Sequence, residues 1–133
     1  MLKSSVLKEI FAMKTIAVIG YSPNLQRPSN YVSQYMNNQG YNIIPVNPGH
    51  LFIDNKKCYP NLNEIDEKVD IVNIFRKSEF VIPIVKSAIA IKARAIWMQD
   101  NVYSHPAEKI VEKSDLLLVM DDCIMRSHIS HNK

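Results

Sequence analysis

The stretch IAVIGYSPNLQRPSNYVSQYM, residues 16–36, decides how this chain is read. An apolar strand runs into Gly20, and a helix follows a polar turn. At such a junction a dinucleotide-binding unit carries Gly-x-Gly-x-x-Gly, whose glycines admit a pyrophosphate. Here the turn is Gly20-Tyr21-Ser22-Pro23-Asn24-Leu25-Gln26-Arg27-Pro28-Ser29, with one glycine and an arginine. Gly20 lets backbone approach a ligand, and Ser22 offers a hydroxyl. A helix capped by Ser29 aims its amides and positive dipole end at the turn. Arg27 adds a permanent charge suited to bidentate phosphate contact. The same residues also read as a tight turn eased by Gly20, with Arg27 a solvated loop charge.

Outward from this turn, apolar runs recur at Thr15–Ile19, Asn42–Val46, Asp70–Phe75, Ala95–Met98 and Leu116–Met120. They are nearly continuous in Ile, Val and Leu, as strands buried on both faces should be. Helical patterns lie between them. One follows Pro28 with Gly40 just past its end, one opens near Ser78 or Glu79 with Pro83 in its first turn, and one spans about His105 to Lys113. This alternation predicts an α/β, three-layer Rossmann-like fold with a mostly parallel five- to six-stranded sheet. Residues 50–68 break the rhythm, with a short strand near Lys57–Tyr59 and one helical turn at Leu62–Ile65. Pro45 argues that the second strand lies near a sheet edge.

The chain has 133 residues, 47% hydrophobic and 22% charged, which suits one domain spanning 1–133. Residues 1–13 are apolar at Leu2, Val6, Leu7, Ile10 and Phe11, a helix packed on the domain; residues 126–133 read as a polar tail. No stretch approaches the roughly 18 apolar residues of a membrane span. The net charge of +3 is too mild and scattered for nucleic acid but suits a small anion. Cys58 and Cys123 lack metal-like spacing, so the expected setting is reducing and cytoplasmic, with no metal.

In such sheets ligands bind beyond the strand C-termini. Those ends read Gly20-Tyr21-Ser22, Asn47-Pro48-Gly49, Phe75-Arg76-Lys77, Gln99-Asp100-Asn101 and Asp121-Asp122-Cys123, polar or basic after each apolar run.

The segment from Lys14 to Gly49, KTIAVIGYSPNLQRPSNYVSQYMNNQGYNIIPVNPG, resembles the opening of the small single-domain CoA-binding proteins. CYPNLNEI (58–65), DIVNIFRKSEFVIPIV (70–85), AIWMQ (95–99) and VMDDCIMRSH (119–128) extend the likeness over nearly the whole chain. This family is a stand-alone relative of the CoA-binding domain of succinyl-CoA ligase α subunits. Three departures stand out: Asp54-Asn55 and Asn101 occupy positions where the family favours glycine, and the helix before KSDLLLV is short.

The resemblance implies coenzyme A lying across the rim. Gly20, Tyr21, Ser22 and Pro23 would line the adenosine diphosphate, with Arg27 close to phosphate. Asn47 and Pro48 would bound the adenine side, with His50 at a position relatives fill with a basic residue. Ile74, Phe75 and Arg76 would flank the nucleotide or pantetheine, and Met98, Gln99 and Asp100 the far side. The implied role is a non-catalytic CoA or acyl-CoA module, a CoA or redox sensor, with no nucleic acid or membrane partner. The alternative is a Rossmann-type NAD(P)-dependent oxidoreductase or another nucleotide-binding enzyme. Thioester ligation by this chain alone is not implied, because the ligases carry their phosphohistidine on a second domain.

Cys123 follows the last strand on the rim, where the family also places a cysteine. A mixed disulfide with CoA is one reading, and a small packing residue is the other; the adjacent Asp121 and Asp122 disfavour a thiolate. Cys58 and Trp97 read as packing residues. His128 and His131 read as tail residues with no second ligand pair.

Overall fold

The expected apolar runs form one parallel sheet in the computed structural model, which describes residues 4–132; Leu2 and Lys133 lie outside the described residues. The elements are α1 (Ser4–Phe11), β1 (Thr15–Ile19), α2 (Pro28–Asn38), β2 (Asn42–Val46), β3 (Phe52–Ile53), β4 (Lys56–Lys57), β5 (Ile71–Ile74), α3 (Val81–Ala90), β6 (Ala95–Met98), α4 (His105–Glu112), β7 (Leu117–Val119) and α5 (Ile124–His131). The sheet order is β2-β1-β5-β6-β7, and β3 and β4 make a separate antiparallel hairpin.

Strand side chains alternate between two apolar layers. Ala17, Ile19, Val72, Ile74, Ile96 and Met98 pack under α3 and α4. Ile16, Val18, Ile71, Ala95, Trp97 and Val119 pack under α1, α2 and α5. Both faces are covered, which is why the strands read as continuous apolar runs. The fold is thus a three-layer, Rossmann-like α/β arrangement with a five-stranded sheet.

Pro45 sits on the edge strand β2, and its carbonyl accepts from Tyr59 N–H at 3.0 Å. Tyr59 forms a single parallel bridge with Val46, the remnant of a third strand. The turn Asp54-Asn55 joins β3 to β4 with φ of 53° and 63°. Two successive left-handed residues give the hairpin its tight turn, and Asp and Asn tolerate them without glycine. Asn101 takes φ 67° after β6 in the same way.

Two local expectations need correction. Ser29 does not cap α2; Arg27 is the N-cap residue, Pro28 opens the helix, and Ser29 lies inside it with its Oγ accepting from Ser22 N–H at 3.0 Å. The polar tail expected at 126–133 is helical through His131, and His128 is buried with its Nδ1 2.8 Å from the Tyr35 hydroxyl. Only Ile124 and His128 of α5 are buried, so its composition reads as polar although one stripe is packed. None of the described helices is long and apolar enough to cross a membrane.

Candidate functional site at the strand C-termini

β1 and β5 lie side by side, but the chain leaves them toward opposite faces, into α2 from β1 and α3 from β5. This divergence opens a crevice at the strand C-termini, the usual ligand position in such sheets. Gly20 stands in it with φ +85°, and a Cβ there would lie 2.8 Å from the Phe75 carbonyl oxygen. The glycine is therefore required twice, by backbone conformation and by the approach of the β5 end.

The turn after Gly20 is held by its own polar groups. Asn24 N–H donates to Ser22 Oγ at 3.1 Å, Gln26 N–H to Asn24 Oδ1 at 3.0 Å, and Asn30 Nδ2 to the Ser22 carbonyl at 2.8 Å. A cavity of about 260 Å³ lies among Gly20, Ser22, Arg27, Pro28, Ser29 and Phe75. The start of α2 and the exposed Arg27 make it a place for an anion.

Two larger hollows flank it. On the β2 side a cavity of about 290 Å³ is bounded by Gly20, Pro48, Leu62, Arg76, Phe80 and Ile84. Its walls are mostly apolar, and the Arg76 guanidinium lies 5.0 Å from the Phe80 ring centroid. On the β6 side a cavity of about 520 Å³ is bounded by Tyr31, Phe75, Asp100, Cys123, Met125 and Arg126, among others. The central cavity shares Gly20 and Phe75 respectively with these neighbours, so the three form one trough across the rim.

Among the residues expected at the site, Gly20, Ser22, Arg27, Pro48, Phe75, Arg76, Gln99, Asp100 and Cys123 line this trough. Others face elsewhere. Tyr21, Ile74 and Met98 are fully buried, so they offer the rim backbone rather than side chains. The Tyr21 ring packs in the α1–α2–α5 layer, and its hydroxyl donates to Asp54 Oδ2 at 2.6 Å. Burial and that carboxylate raise its pKa. Asn47 uses its amide on the turn, donating to the Tyr21 carbonyl at 3.0 Å and accepting from Gly49 N–H at 2.9 Å. Pro23 and His50 are exposed and line none of the three cavities. Gln99 reaches the trough only at its edge, since its amide donates to Asn73 Oδ1 and accepts from Ile124 N–H at 3.3 Å.

Leu62, Phe80, Tyr31, Met125 and Arg126 line the trough without having been singled out in the sequence. Arg126 left one trace there, its four-residue spacing from Asp122. Its Nη1 and Nη2 hold Asp100 at 3.1 and 2.8 Å, and Nη2 holds Asp122 at 3.0 Å. The hydrogen bonds from Arg126 keep the Asp100 carboxyl below the usual carboxylate range.

Both cysteines are buried and free. Cys58 packs in the α1–α2–α5 layer, its Sγ 3.4 Å from the Asn47 carbonyl, and burial pushes its thiol pKa up. Cys123 is the N-cap residue of α5 and opens onto the β6-side cavity.

Residues 14–129 match the family model described as CoA binding domain. An uncharacterized protein of Bacillus subtilis strain 168, YneT, is 36% identical over 123 residues, covering 92% of this chain and 91% of that protein. The ADP-forming acetate–CoA ligase II of Archaeoglobus fulgidus is 27% identical over 108 residues, which span 80% of this chain but 16% of the ligase. The solved structure of a hypothetical protein from Pyrococcus horikoshii OT3 superposes with a TM-score of 0.94 at 32% identity, over 99% of this chain and 94% of that one. A glycine-pinned crevice where the chain leaves two neighbouring strands toward opposite faces, and a family model matched from Lys14 to Ile129, lead to one conclusion: this chain belongs to the CoA binding domain family.

Proposed function

We propose that this chain is a non-catalytic module that binds CoA or acyl-CoA and acts in the cytoplasm as a sensor of CoA or of its redox state. The observation that carries the reading is the three-part trough centred on Gly20. Its apolar β2-side cavity suits adenine, and Arg76 at its wall suits a phosphate on the ribose. The cavity at the start of α2, beside Arg27, suits the diphosphate. The pantetheine arm then runs past Phe75 toward Cys123.

The end of β2 separates CoA from NAD. Enzymes that hold NAD place a carboxylate there for the ribose hydroxyls. Here Asn47 is spent on its own turn, and Asp54 is engaged by Tyr21 and by Asn30 Nδ2 at 3.0 Å. An acid would also repel a phosphorylated ribose, and none stands at Asn47-Pro48-Gly49.

The test is thermal unfolding with CoA, NAD and NADP. CoA at about 100 times its dissociation constant should stabilise the fold by about 2.7 kcal/mol. That corresponds to a rise in Tm on the order of 5–15 °C. NAD and NADP at equal concentration should give little. A larger rise with NAD than with CoA would restore the oxidoreductase reading.

A further inference from the structure

Two apolar stripes, one on each of two helices, line the β6-side cavity of about 520 Å³. On α5 they are Met125 and Ile129, one turn apart, and on α2 Pro28, Tyr31 and Val32. Val32 is buried, yet Tyr31 is 46% exposed and Ile129 44%. Apolar side chains exposed together around one hollow, unlike those scattered singly, mark a surface that something covers. The polar side chains of the same wall are already engaged. Gln99 is spent on Asn73 and on Ile124 N–H, and Asp100 and Arg126 hold one another at 2.8 and 3.1 Å, one carboxylate against one guanidinium. The wall therefore offers contact area to hydrocarbon and little to a group that must keep its hydrogen bonds.

We infer that this hollow is an acyl-chain pocket, and that the protein binds CoA thioesters with a linear aliphatic acyl group several carbons long more tightly than free CoA. The inference rests on the CoA reading above, in which phosphates near Arg27 and Arg76 send the thiol end past Phe75. Phe75 and Pro28 line both the central and the β6-side cavity, so the arm enters between them. The amides of pantetheine must keep hydrogen bonds and stay at the open mouth. An acyl chain on the sulfur can leave water instead and cover Tyr31, Val32, Met125 and Ile129. The volume is within the range that holds small organic ligands.

The experiment is calorimetric titration of the purified chain with CoA, acetyl-CoA, butyryl-CoA and hexanoyl-CoA. Affinity should climb along that series. A methylene taken fully out of water is worth about fourfold, and a half-exposed wall yields part of that, so hexanoyl-CoA should bind roughly tenfold or more tighter than acetyl-CoA. Tyr31→Ser and Ile129→Ser change exposed positions, so both variants should keep the wild-type Tm within a few degrees. Each should lower the ratio of hexanoyl-CoA to acetyl-CoA affinity several-fold. Equal affinity along the series, weaker binding of the longer chains, or a gradient that survives both substitutions would overturn the acyl pocket while leaving CoA binding intact. Absence of binding by CoA and by every thioester would instead overturn the proposed function, and the pocket with it.

Discussion

The Tyr21 hydroxyl donates to Asp54 Oδ2 at 2.6 Å, tying the turn that follows β1 to the tip of the β3–β4 hairpin. Asn30 Nδ2 reaches the same oxygen at 3.0 Å and the Ser22 carbonyl at 2.8 Å, so turn, hairpin and helix α2 share one polar knot. Tyr21→Phe removes the strongest strand of that knot and should cost about 1–2 kcal/mol, read by urea unfolding. Burial raises the pKa of Tyr21, Tyr41 and Tyr59 above 10.0. The unfolded chain therefore releases these protons first as pH climbs. Their contribution is whole below about pH 10 and is lost above it. Unfolding free energy followed to pH 11 should fall in the wild type and fall less steeply in Tyr21→Phe.

Gly20→Ala places a Cβ 2.8 Å from the Phe75 carbonyl oxygen at a φ of +85°. The neighbouring atom is backbone of the central strand end and has no rotamer to yield. A left-handed alanine costs about 1–2 kcal/mol before the contact is counted. The variant should lose at least about 2 kcal/mol, and Tm should drop by roughly 6–12 °C. An unchanged Tm would mean that the β1 and β5 ends are not pressed together as described.

Arg27→Ala should leave stability nearly unaltered, because Arg27 is exposed and its side chain makes no cap bond. CoA affinity should fall by roughly 1.5–3 kcal/mol, the scale of a hydrogen bond to a charged group. Calorimetry giving the wild-type affinity would remove Arg27 from the site.

Cys123 opens onto the cavity assigned to the thiol end. With oxidised CoA, attack of the Cys123 thiolate on the disulfide would form a Cys123–CoA bond and release one CoA thiolate. Mass spectrometry should show one CoA added to the wild type and none to Cys123→Ser. Modification of Cys58, or of neither cysteine, would leave Cys123 as a packing residue.

His128 lies in an aromatic nest, with its ring 5.0 Å from Phe11, 5.5 Å from Tyr35 and 5.8 Å from Tyr41. Burial, with His131 nearby as a lesser cause, pushes its pKa below 6.5. The unfolded chain then takes up the proton first on acidification. Stability due to neutral His128 is complete above about pH 6.5 and is lost as pH falls toward the lower folded value. The acid limb of a stability profile should be shallower in His128→Gln, measured between about pH 7 and 5.

Much of the frame was legible because it rests on local signals. The β1, β2 and β6 boundaries, the edge position implied by Pro45 and the stop at Gly40 follow from periodicity and from residues with restricted or relaxed backbones. The rim was legible for the same reason, since parallel strands all end on one side. Less legible was α5, where one buried histidine and one isoleucine carry the packing of an otherwise polar helix.

By itself the sequence determined the strands of the main sheet and helices α1 to α4, the glycine at the crevice and the set of polar residues delivered to one edge of the sheet. Tertiary structure alone decided which of those residues line the trough. A side chain at a strand end turns in or out according to what packs beside it. The α1–α2–α5 layer and the β3–β4 hairpin draw Tyr21 inward, the α3–α4 layer takes Met98, and Arg126, twenty-six positions from Asp100, closes a salt bridge that only the docking of α5 creates. Such choices depend on contacts between residues distant in the chain, which no local spacing encodes.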